Sequence, residues 1–77
     1  MKSKIDLYVI NKVKEKRVAN NWSQLDLAVE LGLSAGFIGQ VESPKSTTKY
    51  NLQHINMLAS IFKCSPKDFL PQKPIQF

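Results

Sequence analysis

The sequence predicts an all-α fold, a compact domain of about five short helices. The chain has 77 residues, which leaves room for a single hydrophobic core. Apolar residues recur at spacings of three and four in several segments, and no segment alternates with period two. We expect the domain to span residues 1–70, with an N-terminal extension over 1–8. Residues 71–77 contain two prolines and are expected to form an extended or disordered tail.

The first helix is predicted over Val9 to Asn20, where apolar and basic residues fall on different faces. Its inner face carries Val9, Ile10, Val13 and Arg17. Ile5 and Tyr8 continue the spacing, so the pattern also allows a start near Lys4. The helix ends at Asn20 and Asn21, because asparagine side chains compete with the helical backbone for hydrogen bonds.

Two short helices follow and are joined at Gly32. Ser23 is a good N-cap, and the carboxylate of Asp26 stands where it can bind the first free amides of the helix. Gly32 suits the left-handed conformation that commonly ends a helix. Ser34 caps the third helix, which runs from Ala35 to about Glu42 and ends before a proline.

The rest of the chain is predicted to form a polar loop, a fourth helix and one short helical turn. The loop covers Ser43 to Tyr50, and Asn51 caps the fourth helix. The apolar face of that helix carries Leu52, Ile55, Leu58, Ala59 and Phe62. Ser65 and the proline after it start the last turn, which bears Phe69 and Leu70.

The composition favours a binding protein over an enzyme. Eleven Lys and Arg residues against six Asp and Glu give a net charge of +5, which favours a polyanionic partner. Cys64 is the only cysteine and His54 the only histidine, so neither a disulfide nor a zinc site of the usual ligands is expected. The sequence contains no phosphate-binding glycine loop, no catalytic carboxylate pair and no Cys/His couple. We therefore expect no catalytic residues, no metal and no cofactor.

The chain is expected to be cytoplasmic and to have no membrane contact. No apolar run approaches the roughly 18 residues that a membrane span needs. The first residues, MKSKIDL, lack the apolar region and the cleavage site of a secretory signal.

The segment WSQLDLAVELGLSAGFIGQVE resembles the helix-turn-helix of the Cro/C1 type, the XRE family of repressors. The family pattern runs S-Q-x-x-L-A-x-x-L-G-x-S-x-x-x-I-x-x-x-E. The matching residues are Ser23, Gln24, Leu27, Ala28, Leu31, Gly32, Ser34, Ile38 and Glu42. The likeness extends from Val9 to Leu70. It implies a lambda-repressor-like DNA-binding domain whose third helix enters the major groove of double-stranded DNA.

The resemblance also implies roles for individual residues. In the family, base edges are reached from the positions that match Ala35, Gly36, Phe37 and Gln40. The residues expected at DNA phosphates are Ser23, Gln24, Ser34, Lys45, Ser46, Thr47, Thr48 and Lys49. The period of 3.6 residues turns Glu42 toward the core, where a charge needs a partner. In such repressors this partner is the arginine that matches Arg17, so the two are expected to form a structural pair.

Two questions stay open at the level of sequence. Gly36 and Gly39 either let the third helix sit deep in the groove, or they mark low intrinsic specificity with DNA shape and phosphates supplying the affinity. Gln40 is the one residue of this face that can bind a base, adenine, through two hydrogen bonds. The loop after Glu42 is two residues longer than in the family, and it is either a row of phosphate donors or a mobile solvated loop.

The predicted function is a sequence-specific DNA-binding transcriptional regulator that binds two half-sites as a homodimer, because one short helix reads few bases. The alternative is an antitoxin-like module that binds a protein partner and for which DNA binding is secondary. Leu25 and Val29 prompt this alternative, because they form an apolar pair where the family is often polar. Ile5 and Tyr8, the Ile75 to Phe77 tail, or a partner could cover them.

Overall fold

The computed structural model describes residues 1–77 and contains four α-helices, one 3-10 turn and no strand. The helices are α1 (Lys4–Ala19), α2 (Gln24–Leu31), α3 (Ala35–Glu42) and α4 (Leu52–Phe62), and the 3-10 turn is Pro66–Phe69. The predicted all-α class is confirmed. The count of five helices is not, because the last segment is a single 3-10 turn of four residues. None of the helices is long and apolar enough to cross a membrane.

The first helix begins at Lys4, so the earlier of the two starts that the sequence allowed is confirmed and the start at Val9 is wrong. Residues 4–8, predicted as part of an N-terminal extension, belong to the helix. Ser3 and Asp6 form a capping box: Ser3 Oγ accepts from the Asp6 amide at 3.2 Å, and the Asp6 carboxylate accepts from the Ser3 amide at 3.0 Å. These bonds satisfy free amides of the first turn and extend the helix toward the N-terminus. The helix ends where predicted, with Asn21 in the left-handed conformation.

The α2 and α3 helices have the predicted boundaries and are joined by a short turn. Ser23 and Asp26 form a capping box at the start of α2, and Ser34 accepts from the Phe37 amide at the start of α3. Gly32 ends α2 at a φ of +70°, a region open to glycine without a steric penalty. The Leu33 amide then donates to the Ala28 carbonyl at 2.9 Å, which closes the turn and directs the chain into α3.

One hydrophobic core lies between the four helices and the 3-10 turn. Its largest fully buried side chains are Phe69, Leu27, Ile38, Leu58, Val13 and Val41. Every helix and the turn therefore contribute to it. Because α3 buries Ile38 and Val41, its opposite face, with Gly36 and Gln40, points to solvent. The tail over 71–77 contains no helix or strand.

Candidate nucleic-acid interface

The outer face of α3 presents two of the four predicted base-reading residues fully to solvent. Gly36 and Gln40 are exposed, whereas Ala35 and Phe37 are half-buried and pack against the core. The Phe37 ring lies 5.1 Å from the His54 ring and 6.2 Å from the Tyr50 ring, centroid to centroid. This packing reduces the surface that Phe37 can offer to a base, so the exposed part of the face centres on Gly36 and Gln40.

The two glycines of α3 occupy different surroundings. A Cβ atom at Gly36 would meet only Ser34 Oγ, at 3.8 Å, so this position is open. A Cβ atom at Gly39 would lie 3.4 Å from Gln24 Oε1, in contact with α2. Gly39 therefore belongs to the contact between α2 and α3. A close approach of the α3 backbone to DNA remains an explanation for Gly36 alone.

The expected pair of Arg17 and Glu42 is present and joins three helices. Arg17 Nε and Nη2 each donate to one carboxylate oxygen of Glu42 at 2.9 Å, and Arg17 Nη1 donates to the Trp22 carbonyl at 2.7 Å. Gln24 Nε2 donates to Glu42 Oε1 at 3.1 Å. The side chains of Arg17 and Glu42 are 11% and 4% exposed, so the charges are largely removed from water and compensate each other. The network fixes α3 relative to α1 and α2.

This network gives Gln24 a structural contact that the sequence analysis did not predict. The side-chain amide expected at a DNA phosphate is bound to Glu42 in the structure, and the space left by Gly39 receives its oxygen. Its phosphate contact stays a prediction. The sequence contains one indication of this contact: Gly39 and Glu42, the two residues that the Gln24 amide meets, lie three residues apart on one face of α3.

Burial isolates a tyrosine hydroxyl beside the network. Tyr50 packs in the core, and its hydroxyl has no hydrogen-bond partner in the protein. Burial raises the pKa of this hydroxyl strongly, the charge of Glu42 raises it further, and the charge of Arg17 opposes both. The group is therefore neutral and unpaired.

Several side chains of the loop after α3 bind other parts of the protein. Ser43 and Ser46 accept from the amides of Lys45 and Thr48 at 3.3 and 3.1 Å, forming turns typical of serine. Thr48 Oγ1 donates to Gln40 Oε1 at 3.1 Å. Of the predicted phosphate donors in the loop, Lys45 and Thr47 are exposed and make no side-chain hydrogen bond.

Lys49 connects the loop to the first turn of α1. Its ammonium group lies 3.4 Å from the carboxylate of Asp6 and keeps most of its surface in water. Burial raises the pKa of Asp6, but hydrogen bonds from Ser3 and Lys49 and the charge of Lys49 lower it more, and the net shift is downward. Such an exposed pair is weak, so Lys49 can exchange Asp6 for a phosphate at little cost.

Lys2 is a residue near the candidate interface that the sequence analysis missed. Its ammonium group donates to the carbonyl oxygens of Gln40, Val41 and Ser43, at 3.3, 2.7 and 2.6 Å. It is only 8% exposed. A cation at this point satisfies carbonyls that the helix cannot pair and complements the negative end of the α3 dipole. The last turn of α3 has no basic residue of its own, which is the one sequence signal for it.

The N-termini of α2 and α3, both expected at DNA phosphates, differ in electrostatic character. At α2, the carboxylate of Asp26 already accepts from the Ser23 amide at 2.8 Å, and this negative charge disfavours a phosphate. The first turn of α3 has no acidic residue, and the exposed Ser34 caps it. The free amides at the start of α3 and the helix dipole therefore favour an anion there more than at α2.

The apolar pair on α2 is not covered by the rest of the chain. Leu25 is 59% and Val29 69% exposed. Neither the first turns of α1 nor the tail over 71–77 buries them. Cover by either segment is therefore excluded, and cover by a partner stays a prediction.

Comparisons of the chain with protein-family models, with curated proteins and with solved structures find no match. The functional proposal therefore depends on the residues and their geometry.

Proposed function

We propose that the chain is a sequence-specific DNA-binding transcriptional regulator of the Cro/C1 type, which places α3 in the major groove. The observation that carries the proposal is the free outer face of α3. Gly36 and Gln40 are exposed, and the opposite face is fixed by the core and by the Arg17–Glu42 pair. A helix held rigidly with one face open is what direct contact with base edges requires.

Gln40 is the central base-reading residue in this proposal. A glutamine amide can donate to N7 of adenine and accept from its N6 amino group, a combination that distinguishes adenine from the other bases in the major groove. Gly36, one turn earlier on the same face, lets the helix backbone approach the base edges because it has no side chain. Ala35 and the exposed part of Phe37 can contact a thymine methyl group at the flanks.

The phosphate contacts fall on both sides of this face. The start of α3 with Ser34 accounts for one phosphate, and Lys45, Thr47 and Lys49 of the loop account for others. Ser23, Ser46, Thr48 and Gln24 are the other residues that the family resemblance places at phosphates. The two loop lysines alone give an expected slope of about −2 per protomer for log K against log salt.

The proposal includes a homodimer on DNA. The eight residues of α3 extend about 12 Å, which spans only a few base pairs. Two copies on half-sites about one helical turn apart would multiply the discrimination of each.

The test is selection of bound fragments from random duplex DNA, followed by binding measurements on the selected site. We expect Gln40→Ala to relax the preference at one base position, and Lys45→Ala to weaken binding to all sequences alike and to reduce the salt slope by about one. Lys14→Ala, at an exposed lysine of α1 outside the proposed interface, is the control and should leave binding unchanged. Recovery of no preferred sequence, or an affinity independent of salt, would contradict the proposal.

A second candidate, an antitoxin-like module that binds a protein partner, has one observation in its favour: the exposed Leu25 and Val29. An apolar pair on a helix surface is a suitable site for a partner. Co-purification of one defined partner with the wild-type chain and its loss in Leu25→Asp would favour this candidate. A monomer by light scattering whose stability is unchanged by Leu25→Asp would remove it.

A further inference from the structure

The side chain of Gln40 has a fixed partner in the loop that follows α3. Thr48 Oγ1 donates to Gln40 Oε1 at 3.1 Å, and the Thr48 amide donates to Ser46 Oγ at 3.1 Å. The family resemblance implies a phosphate contact for the Thr48 hydroxyl. In the structure it instead contacts the one side chain of the α3 face that can bind a base through two hydrogen bonds.

The backbone is held on both sides of this contact. Lys2 binds the carbonyl of Gln40 itself and those of Val41 and Ser43, which fixes the end of α3. Beyond Thr48, the Tyr50 side chain is buried in the core and fixes the end of the loop. The contact between Gln40 and Thr48 therefore joins two anchored segments, and little backbone entropy is lost when it forms.

The hydrogen bond leaves Gln40 with the groups that adenine needs. The amide oxygen has two lone pairs, of which the Thr48 hydroxyl occupies one, and the nitrogen keeps both hydrogens. One lone pair and one N–H group remain for N6 and N7 of adenine. An unrestrained amide can rotate and exchange its oxygen and nitrogen, which would place the donor where adenine also has a donor.

We propose, on the basis of the function proposed above, that Thr48 is a positioning residue that determines specificity. It holds the Gln40 amide in the orientation that selects adenine, without touching the base itself. In water this exposed bond competes with solvent and is modest, but it gains strength when the groove excludes water. The expected effect of its loss is a reduction of about threefold to tenfold in the preference for adenine.

The experiment compares three variants on the selected duplex and on its versions with the other base pairs at the position read by Gln40. Thr48→Val keeps the shape and removes the hydroxyl, and Thr48→Ser keeps the hydroxyl. Thr47→Val removes an exposed neighbouring hydroxyl proposed to contact a phosphate, so it should weaken binding to all of these duplexes alike and serves as the control for base preference. We expect Thr48→Val to lose adenine preference by the stated factor, while the other two variants retain it. A preference retained in Thr48→Val would overturn the proposal.

A double-mutant cycle separates positioning from a direct contact of Thr48 with DNA. In a Gln40→Ala background, Thr48→Val should cause no further change in base preference. An equal loss in both backgrounds would overturn the positioning role.

A measurement without DNA distinguishes failure of this inference from failure of the proposed function. NMR relaxation of the Gln40 side-chain amide should indicate greater mobility in Thr48→Val than in wild type or Thr47→Val. Unchanged mobility would overturn the positioning role even if DNA binding is established. Absence of duplex binding by the wild-type protein would overturn the proposed function and the specificity role with it.

Discussion

At the scale of single residues, the ammonium group of Lys2 binds carbonyls at the end of α3, where the Ser43 C-cap is extended and pairs only the Gln40 carbonyl through its amide. Helices often end at a glycine whose backbone pairs the last carbonyls, but α3 ends at Ser43 in an extended conformation, followed by a proline. Lys2 binds three carbonyls at this end from a distant part of the chain. The end of α3 therefore depends on the N-terminal segment.

Replacement of Lys2 by methionine tests this dependence. Lys2→Met keeps the aliphatic length and removes the donors, so the carbonyls of Val41 and Ser43 lose this partner, whereas that of Gln40 keeps the Ser43 amide. We expect the free energy of unfolding to fall by about 2–3 kcal/mol, measured by urea denaturation. Lys4→Met, at an exposed position, should change it by less than about 0.5 kcal/mol. Equal effects of the two substitutions would contradict the role of Lys2.

The buried hydroxyl of Tyr50 lowers the stability of the fold, and phenylalanine at this position would lack it. Its hydroxyl is buried without a hydrogen-bond partner, so we expect Tyr50→Phe to raise the free energy of unfolding by about 1 kcal/mol at neutral pH. Burial raises the pKa of this group in the folded state above the usual value near 10. The unfolded chain therefore loses the proton first as pH rises, and stability falls from about pH 10 upward.

Denaturation of both proteins between pH 7 and pH 11 measures this effect. The alkaline loss of stability should be smaller in Tyr50→Phe than in wild type. Tyr8→Phe is the matched control, because Tyr8 is only half-buried on α1. Destabilisation by Tyr50→Phe would contradict the unpaired hydroxyl, and an alkaline profile unchanged by the substitution would contradict its raised pKa.

At the scale of elements, α3 contains two glycines in eight residues, although glycine disfavours a helix by up to about 1 kcal/mol relative to alanine. Gly36→Ala places a methyl group in open space, so it should stabilise the fold by about 0.5–1 kcal/mol. If the proposed face meets DNA, the same methyl group should weaken binding. Gly39→Ala adds its methyl group against α2 and should leave binding unchanged. Thermal unfolding and DNA titration of both variants check the pair, and tighter binding by Gly36→Ala would contradict the proposed approach.

The sequence predicted α2 and α3 to the residue because their ends carry strong local signals. Ser23, Gly32 and Ser34 each act through their own backbone geometry, which tertiary contacts do not alter. The sequence leaves the start of α1 open between Val9 and Lys4 because its signal, Ser3 with Asp6, lies in a polar segment with little apolar periodicity. The last turn was predicted correctly in place, but four residues with a proline at the first position form only a 3-10 turn.

At the scale of the whole molecule, Glu42 is the point where α1, α2 and α3 meet. Glu42→Gln keeps the shape of the side chain and leaves the Arg17 charge buried without a counter-ion. We expect the free energy of unfolding to fall by about 3–5 kcal/mol in urea denaturation. Glu15→Gln breaks an exposed pair with Lys12 at 4.0 Å and should cost less than about 1 kcal/mol. A loss as small as this in Glu42→Gln would contradict the structural role of the network.

The candidate site was predictable only in part, for reasons that lie in tertiary contacts. Periodicity within α3 suffices to place Gly36 and Gln40 outside and Ile38 inside. It does not reveal that Phe37 packs on His54, or that the Gln24 amide is bound by Glu42. Lys2 and Thr48 form hydrogen bonds with α3 from segments that no local sequence pattern connects to this helix. These contacts can therefore be identified only in the folded structure.

The central claim is that double-stranded DNA binds to the outer face of α3. The most direct measurement is an NMR titration of the ¹⁵N-labelled protein with the selected duplex, which follows every backbone amide at once. The largest shifts are predicted at residues 34–40 and in the loop over 45–49, with small shifts at Leu25 and Val29. Shifts concentrated on α2 around Leu25 and Val29, with α3 unchanged, would contradict the claim.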